Sequence, residues 1–210
     1  MVEISFAAPG ASRRRTRLRR CALALAWATI TWNSLEAVIA IATGAGADSI
    51  ALIGFGLNSV IEVGSAVVVV WQFSGSDGDR EDRALKLIAA SFFAFAAYVT
   101  AQSVFDLVTR TEPEESLPGI LLAATSLIVM PLLAYAKRRV GRQLESRTLV
   151  ADSGQTMLCT YLSAVLLAGL LANGRLGWWW ADPLTALVIA ALAVREGREA
   201  WRGDLCCDSC

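Results

Sequence analysis

The chain has 210 residues, of which 55% are hydrophobic, and its 19 basic and 19 acidic residues cancel. A soluble domain of this length would carry charges on all its surface helices. Here they fall in a few short clusters, which excludes an ordinary soluble fold. The balanced charge gives no indication of a nucleic-acid partner. The sequence contains no histidine, which excludes histidine-dependent catalytic triads and histidine zinc motifs.

Six apolar stretches follow one another, each close to the roughly 20 residues that a helix needs to cross a bilayer. We therefore predict an all-α membrane protein with six transmembrane helices. The stretches run over about 21–43, 49–73, 84–109, 117–136, 148–172 and 178–194. They divide the chain into a basic N-terminal segment over 1–20, a transmembrane domain over 21–197 and a short tail over 198–210.

The basic residues predict the orientation, because such residues are enriched in the cytoplasmic segments of membrane proteins. With the N-terminus inside, the inside segments hold every basic residue of the chain except Arg110 and Arg175. Both termini are therefore predicted to be cytoplasmic, in a multi-pass protein of the cytoplasmic membrane whose basic segment contacts anionic lipids. The outside loops over 44–48, 110–116 and 173–177 are short, so helices one and two, three and four, and five and six should form hairpins.

Four predicted helices carry polar or ionisable side chains at membrane depth, where such groups are costly and therefore functional candidates. Residues three, four or seven apart share one face of a helix, so each set points in one direction. Together, the sets on helices one, two and five would place Glu36, Glu62 and Asp152 around a cavity that attracts a cation. Interhelical hydrogen bonding is the alternative for the amides and hydroxyls. The sets are Asn33 and Glu36; Asn58 and Glu62; Gln102, Ser103 and Asp106; and Asp152, Gln155 and Cys159.

Short motifs on the second, fifth and sixth predicted helices form a recognisable series. The second helix contains Ser-Ile-Ala-Leu at 49–52 and Leu-Asn-Ser-Val-Ile-Glu at 57–62. The fifth contains Ala-Asp-Ser-Gly-Gln-Thr-Met-Leu-Cys at 151–159, and Ala-Asp-Pro at 181–183 opens the sixth. In order and spacing these motifs resemble the cation diffusion facilitator family of zinc transporters, over about 22–199. The resemblance implies a secondary-active exporter of a divalent metal, with zinc the expected ion, that works by alternating access in exchange for protons.

The resemblance also implies a metal site. In that family, two residues on helix two and two on helix five bind the metal near the membrane centre. By position, the ligands here would be Asn58, Glu62, Gln155 and Cys159. The usual set is three aspartates and one histidine, so only Glu62 keeps an acidic ligand. The thiol of Cys159 is a soft ligand that favours zinc or copper(I).

Three alternatives remain open for this altered set of ligands. The transporter has a shifted ion preference, its site has moved toward Glu36 and Asp152, or the protein has lost transport and only binds a metal or a partner. Asn33, Glu36 and Asp152 are the further candidates for lining the cavity or coupling protons. An enzyme is not expected, because no pair of nucleophile and base can be assembled, and no organic cofactor is indicated.

Further motifs resemble a short branch of the same family that lacks a cytoplasmic metal-sensing domain. They are Phe-Gly-Leu at 55–57, Glu-Val-Gly-Ser at 62–65, Met-Pro at 130–131 and the tryptophan run at 178–180. The homodimer that the family usually forms would then be held by membrane helices alone.

Three of the five cysteines lie in the tail, as Cys206, Cys207 and Cys210. Thiols of a cytoplasmic tail stay reduced, so they would serve as soft metal ligands rather than in disulfides. One interpretation is that they capture metal near the inner mouth of the transporter. The other is an unstructured tail whose cysteines have no function.

Overall fold

The protein is described by a computed structural model that covers residues 9–46, 50–75, 79–110, 117–176 and 181–203. These ranges contain α-helices and short turns, without a strand. The helices are α1 Pro9–Gly46, α2 Ile50–Phe73, α3 Asp79–Thr109, α4 Leu117–Leu144, α5 Arg147–Leu176 and α6 Ala181–Arg202. The predicted all-α fold with six helices is therefore confirmed.

Several of the helices are long and apolar enough to cross a membrane by themselves. Within the described residues there are four such spans, Arg13–Gly46, Leu52–Phe73, Arg80–Thr109 and Leu117–Leu144. They present large apolar side chains on the outside of the bundle, among them Val38, Val108 and Ile128, which are 67%, 78% and 66% exposed. In hydrocarbon such side chains face lipid at no cost. The protein is therefore an integral membrane protein.

The packing of the helices differs from a row of hairpins. α1 packs closely against α2 as predicted, and α4 packs against α5. Contacts between α1 and α4 and between α2 and α5 join these two pairs into a four-helix group. α3 packs chiefly against α6 rather than against α4, and this third pair contacts α2 and α5. The short outside loops predicted the pair of α1 and α2. α5 and α6 are also in contact, but each packs more extensively against another helix.

α1 and α2 approach one another closely at Gly56. A Cβ atom there would lie 2.7 Å from Cγ1 of Ile41 and 3.2 Å from the carbonyl oxygen of Ala37, so a larger residue would push the helices apart. Small residues at helix interfaces allow such an approach in membranes. It brings Glu36 of α1 within hydrogen-bonding distance of Ser59 of α2, one turn after Gly56.

The connection between α4 and α5 is a tight turn rather than the loop that the sequence predicts over 137–147. Glu145 adopts a left-handed backbone conformation with φ of 55°. The N–H of Ser146 donates to the carbonyl of Gly141 at 3.0 Å, which ends α4. The Ser146 hydroxyl then accepts the N–H of Leu149 at 3.4 Å and caps α5. α4 therefore continues two turns beyond its predicted end at residue 136, and Lys137 lies within it.

Candidate metal centre

The buried polar side chains lie mostly in the four-helix group of α1, α2, α4 and α5, whereas α3 and α6 contribute mainly apolar residues to the core. The candidates for ion binding and the buried polar side chains around them are no more than 2% exposed. They are Asn33, Glu36, Asn58, Ser59, Glu62, Ser65, Ser126, Lys137, Asp152, Gln155, Thr156 and Cys159. We call this set the polar core.

Glu62 of α2 stands out because its carboxylate is not satisfied. The residue is 1% exposed, and within the described ranges neither of its oxygens accepts a hydrogen bond of normal geometry. The side chains of Thr156 and Cys159 on α5 lie beside it at longer range. Buried polar groups almost always have a partner, and an unsatisfied group in a native protein suggests a missing ion, water or proton. The Glu62 carboxylate is therefore a candidate position for a cation.

The other predicted ligands are arranged around Glu62 to different degrees. Asn58 lies one turn before it on α2, is 2% exposed, and carries a side-chain nitrogen that has no partner among the described residues. Cys159 lies beside Glu62 and is 1% exposed. Gln155 lies one turn before Cys159, but its Oε1 is 3.5 Å from Oγ of Ser91 on α3. The structure therefore brings Glu62 and Cys159 together, and it directs the Gln155 amide toward α3.

A metal ion here would depend on neutral ligands as well. No group of three or more Asp, Glu or Cys side chains in metal-binding geometry occurs in the part of the chain that the structure describes. One carboxylate and one thiol supply two of the four ligands of a site of borderline softness, and the Gln155 amide oxygen faces Ser91 of α3 instead. Thr156, which sequence reasoning did not single out, adds a hydroxyl next to Glu62.

Glu36 of α1 has its hydrogen bonds satisfied, in contrast to Glu62. Its Oε2 accepts the hydroxyl of Ser59 at 2.9 Å, and its Oε1 accepts the hydroxyl of Ser126 on α4. The indole N–H of Trp32 donates to the same Ser126 hydroxyl at 3.4 Å. Since hydroxyls from two other helices donate to this carboxylate, its hydrogen bonds connect α1 to α2 and α4 in this structure.

Asn33 lies one turn before Glu36 and is fully buried. Its Nδ2 donates to the backbone carbonyl of Thr29 at 3.1 Å. Its Oδ1 accepts no hydrogen bond within the described ranges. It therefore offers one free oxygen at the edge of the polar core.

Asp152 of α5 forms an ion pair that the sequence interpretation did not foresee. Its Oδ2 lies 2.7 Å from Nζ of Lys137, and both side chains are completely buried. Its Oδ1 accepts the hydroxyl of Ser65 at 2.8 Å, and the Lys137 ammonium donates to Oγ1 of Thr156 at 2.8 Å. Lys137 also interacts electrostatically with Glu62. Asp152 is thus held by α2 and α4 rather than lining an open cavity.

The sequence contained a signal for the inward position of Lys137. The buried positions of α4 include Ser126, Met130, Ala134, Lys137 and Gly141, which recur every three or four residues along one helical face. Lys137 was assigned to the cytoplasmic basic cluster because it adjoins Arg138 and Arg139. Those two arginines are exposed, whereas the lysine lies on the buried face.

The predicted set on α3 lies at a different place from the polar core. Nε2 of Gln102 donates to Oδ1 of Asp106 at 2.9 Å. Together with Ser103, both line a cavity of about 90 Å³ between α2, α3, α5 and α6, whose other walls include Tyr98 and Pro183. None of the four predicted ligands lines this cavity. The tail cysteines Cys206, Cys207 and Cys210 lie outside the described residues.

The comparison with known proteins agrees with this architecture. The family model of the cation efflux transmembrane domain matches residues 26–202, which is most of the chain. The chain belongs to the cation efflux family. The family resemblance seen in the sequence motifs is thereby confirmed. Proteins of this family are transporters of divalent metal cations, so the polar core lies within a cation transporter domain.

Two curated relatives can be aligned with most of this cation efflux chain. Transmembrane protein 163 of Xenopus laevis is 25% identical over 186 residues, which make up 85% of this chain and 66% of that protein. An uncharacterised transporter of Synechocystis sp. is 26% identical over 193 residues, or 86% of this chain and 62% of that protein. The chain thus spans less than two thirds of the length of either relative.

Proposed function

We propose that this protein exports a divalent metal ion, with zinc as its substrate, in exchange for protons by alternating access. The observation that carries the proposal is the buried Glu62 carboxylate, whose oxygens accept no normal hydrogen bond within the described ranges and which lies beside the Cys159 thiol. A carboxylate and a neighbouring thiol are both ligands that bind a divalent ion such as zinc. The family to which the chain belongs supports transport rather than storage of that ion.

Proton exchange follows from the charge of the same two groups. Zinc binds carboxylate and thiolate, so both groups must be free of protons while the metal is bound. When the metal leaves, the Glu62 carboxyl and the Cys159 thiol take up protons again, which removes uncompensated charge from a buried place. Each transport cycle would then carry protons in the direction opposite to the metal. Asn58 and Gln155 complete the coordination as neutral ligands once the Gln155 amide turns away from Ser91, and neither ligand requires a proton.

The orientation of the protein is part of the proposal. The basic clusters support an arrangement with both termini in the cytoplasm. The proposal also places the protein in the plasma membrane as a homodimer in contact with lipids. We expect a reporter that is active only in the cytoplasm to be active when fused to either end. Activity at one end alone would mean an odd number of membrane crossings and would contradict the six-helix topology.

Transport is tested with the purified protein in sealed lipid vesicles that contain a zinc indicator and, in a parallel sample, a pH indicator. We expect added zinc to enter the vesicles and protons to leave at the same time, and we expect a proton ionophore to change the rate of zinc uptake. Zinc binding without flux would contradict transport and favour a membrane protein that only binds metal. Zinc flux without proton movement would contradict the exchange.

A further inference from the structure

The buried ammonium of Lys137 is unexpected in a site that would attract a cation, because like charges repel. Its ammonium lies 2.7 Å from Asp152 and 2.8 Å from the Thr156 hydroxyl, with no exposed side-chain surface. Thr156 in turn lies beside Glu62. A positive charge is therefore fixed at the polar core, within range of the carboxylate that would bind the metal.

Stability alone does not explain this ion pair. Replacing a buried ion pair by apolar side chains of similar volume is often neutral or stabilising, because burial of both charges costs as much as their attraction returns. A charged side chain buried away from water is costly unless it is paired and hydrogen-bonded. A buried lysine at this place therefore points to a function, and the candidate metal site beside it suggests which one.

The position of the pair along the helices relates it to the path of the metal. Asp152 lies two turns before Cys159 on α5, and Ser65 lies one turn after Glu62 on α2. Asp152 and Ser65 therefore lie nearer than Cys159 and Glu62 to the end of the bundle that contains the turn between α4 and α5. An ion that moves from that end toward Glu62 would pass the Lys137–Asp152 pair.

We propose that Lys137 is a tethered cation that keeps Asp152 from binding the metal and thereby determines the affinity of the site; this inference rests on the proposed function. Both Asp152 oxygens are engaged, one with the ammonium and one with the Ser65 hydroxyl. The charges of Lys137 and Asp152 cancel, so Glu62 is the acidic ligand that remains for the metal. The ammonium also repels an arriving dication, which weakens binding and favours release.

The inference makes opposite predictions for the two members of the pair. Lys137→Met frees Asp152 and removes the repulsion, so the affinity for zinc should rise by about tenfold or more. Asp152→Asn leaves the ammonium unopposed beside Glu62, so the affinity should fall by about tenfold or more. The double variant restores the charge of the site, and its affinity should return to that of the unchanged protein. Zinc titration of the purified protein in detergent measures all three.

The control is Lys86→Met, which removes the chain's other lysine from an exposed position on α3. It should bind zinc with unchanged affinity. The unfolding temperature without metal provides a second measurement, because a merely structural pair would destabilise both single variants and recover in the double variant without any change in zinc affinity. That result would overturn the inference.

The remaining outcomes separate this inference from the proposed function. If the unchanged protein binds and transports zinc and Lys137→Met binds it no more tightly, the inference alone is wrong. A double variant that still binds as weakly as Asp152→Asn would show that Asp152 is itself a ligand, which also overturns it. Zinc binding that appears only in Lys137→Met would support the inference and contradict the proposed function. Absence of binding in both proteins would overturn both.

Discussion

Glu62→Gln is expected to reduce zinc uptake by vesicles at least about a hundredfold, since loss of a ligand should cost more than the 10–100-fold typical of groups that only orient one. The amide keeps the size of the side chain and removes both the negative charge and the exchangeable proton. Since Asp152 is paired with Lys137 and Glu36 accepts two hydroxyls, the polar core offers no second free carboxylate to take over. Initial rates of zinc uptake measure the effect.

The matched control for this variant is Glu145→Gln in the exposed turn between α4 and α5, which should transport zinc at the normal rate. Both variants should unfold at temperatures close to that of the unchanged protein, because Glu62 gives up no normal hydrogen bond within the described ranges. If Glu62→Gln transports zinc normally, the site lies elsewhere. Glu36→Gln and the double variant Lys137→Met, Asp152→Asn would then identify whether it has moved toward those residues.

Phe92→Ala is expected to lower the free energy of unfolding by about 3–5 kcal/mol, the usual cost of removing a buried aromatic side chain. Phe92 is fully buried on α3. The tip of its ring would lie 3.5 Å from a Cβ on Gly154 of α5, and its own Cβ 3.0 Å from one on Gly197 of α6. The ring therefore fills the junction of three helices, and its removal leaves a cavity. Thermal or chemical unfolding in detergent measures the loss.

Phe105→Ala on the same helix is the control, because Phe105 is 49% exposed on the outside of the bundle. A lipid or detergent chain replaces the lost contacts there, so its effect should stay within about 1 kcal/mol, as for substitutions away from core features. Equal losses in the two variants would mean that α3 does not pack on α5 and α6 as the structure shows.

Much of the fold could be predicted because the relevant signals are local. A stretch of some twenty apolar residues specifies a spanning helix wherever it occurs in the chain, and basic residues orient it without reference to its neighbours. The spacing of Asn58 and Glu62, or of Asp152 and Cys159, shows which residues share a helical face. The helix ends were harder to predict. α4 runs to Leu144, two turns beyond the end of its apolar stretch, so the end of the hydrophobic run did not mark the end of the helix.

The candidate site shows the limit of this local reasoning at Lys137. In the sequence it is the first residue of a basic run, and the inside rule accounts for it completely. Its burial depends on Asp152, fifteen positions later in the chain, and on the tight turn at Glu145 and Ser146 that places α5 beside α4. The spacing along α4 places Lys137 on the inward face of that helix, but no pattern within one helix shows which group compensates its charge. The same holds for Ser126, which satisfies Glu36 from another helix.

The sequence by itself determined the six-helix membrane architecture. It also predicted the orientation and the residues whose cost in a membrane makes them functional candidates. Only the tertiary structure decided which of them are already satisfied. Glu36 has two hydroxyl partners and Asp152 has an ammonium, whereas Glu62 is left beside Cys159. The physical reason is that burial and helical faces follow from local periodicity, while the compensation of a buried charge depends on which helices meet. α3 packs against α6, and the packing of α4 against α5 places Lys137 beside Asp152. Both depend on contacts between residues far apart in the chain.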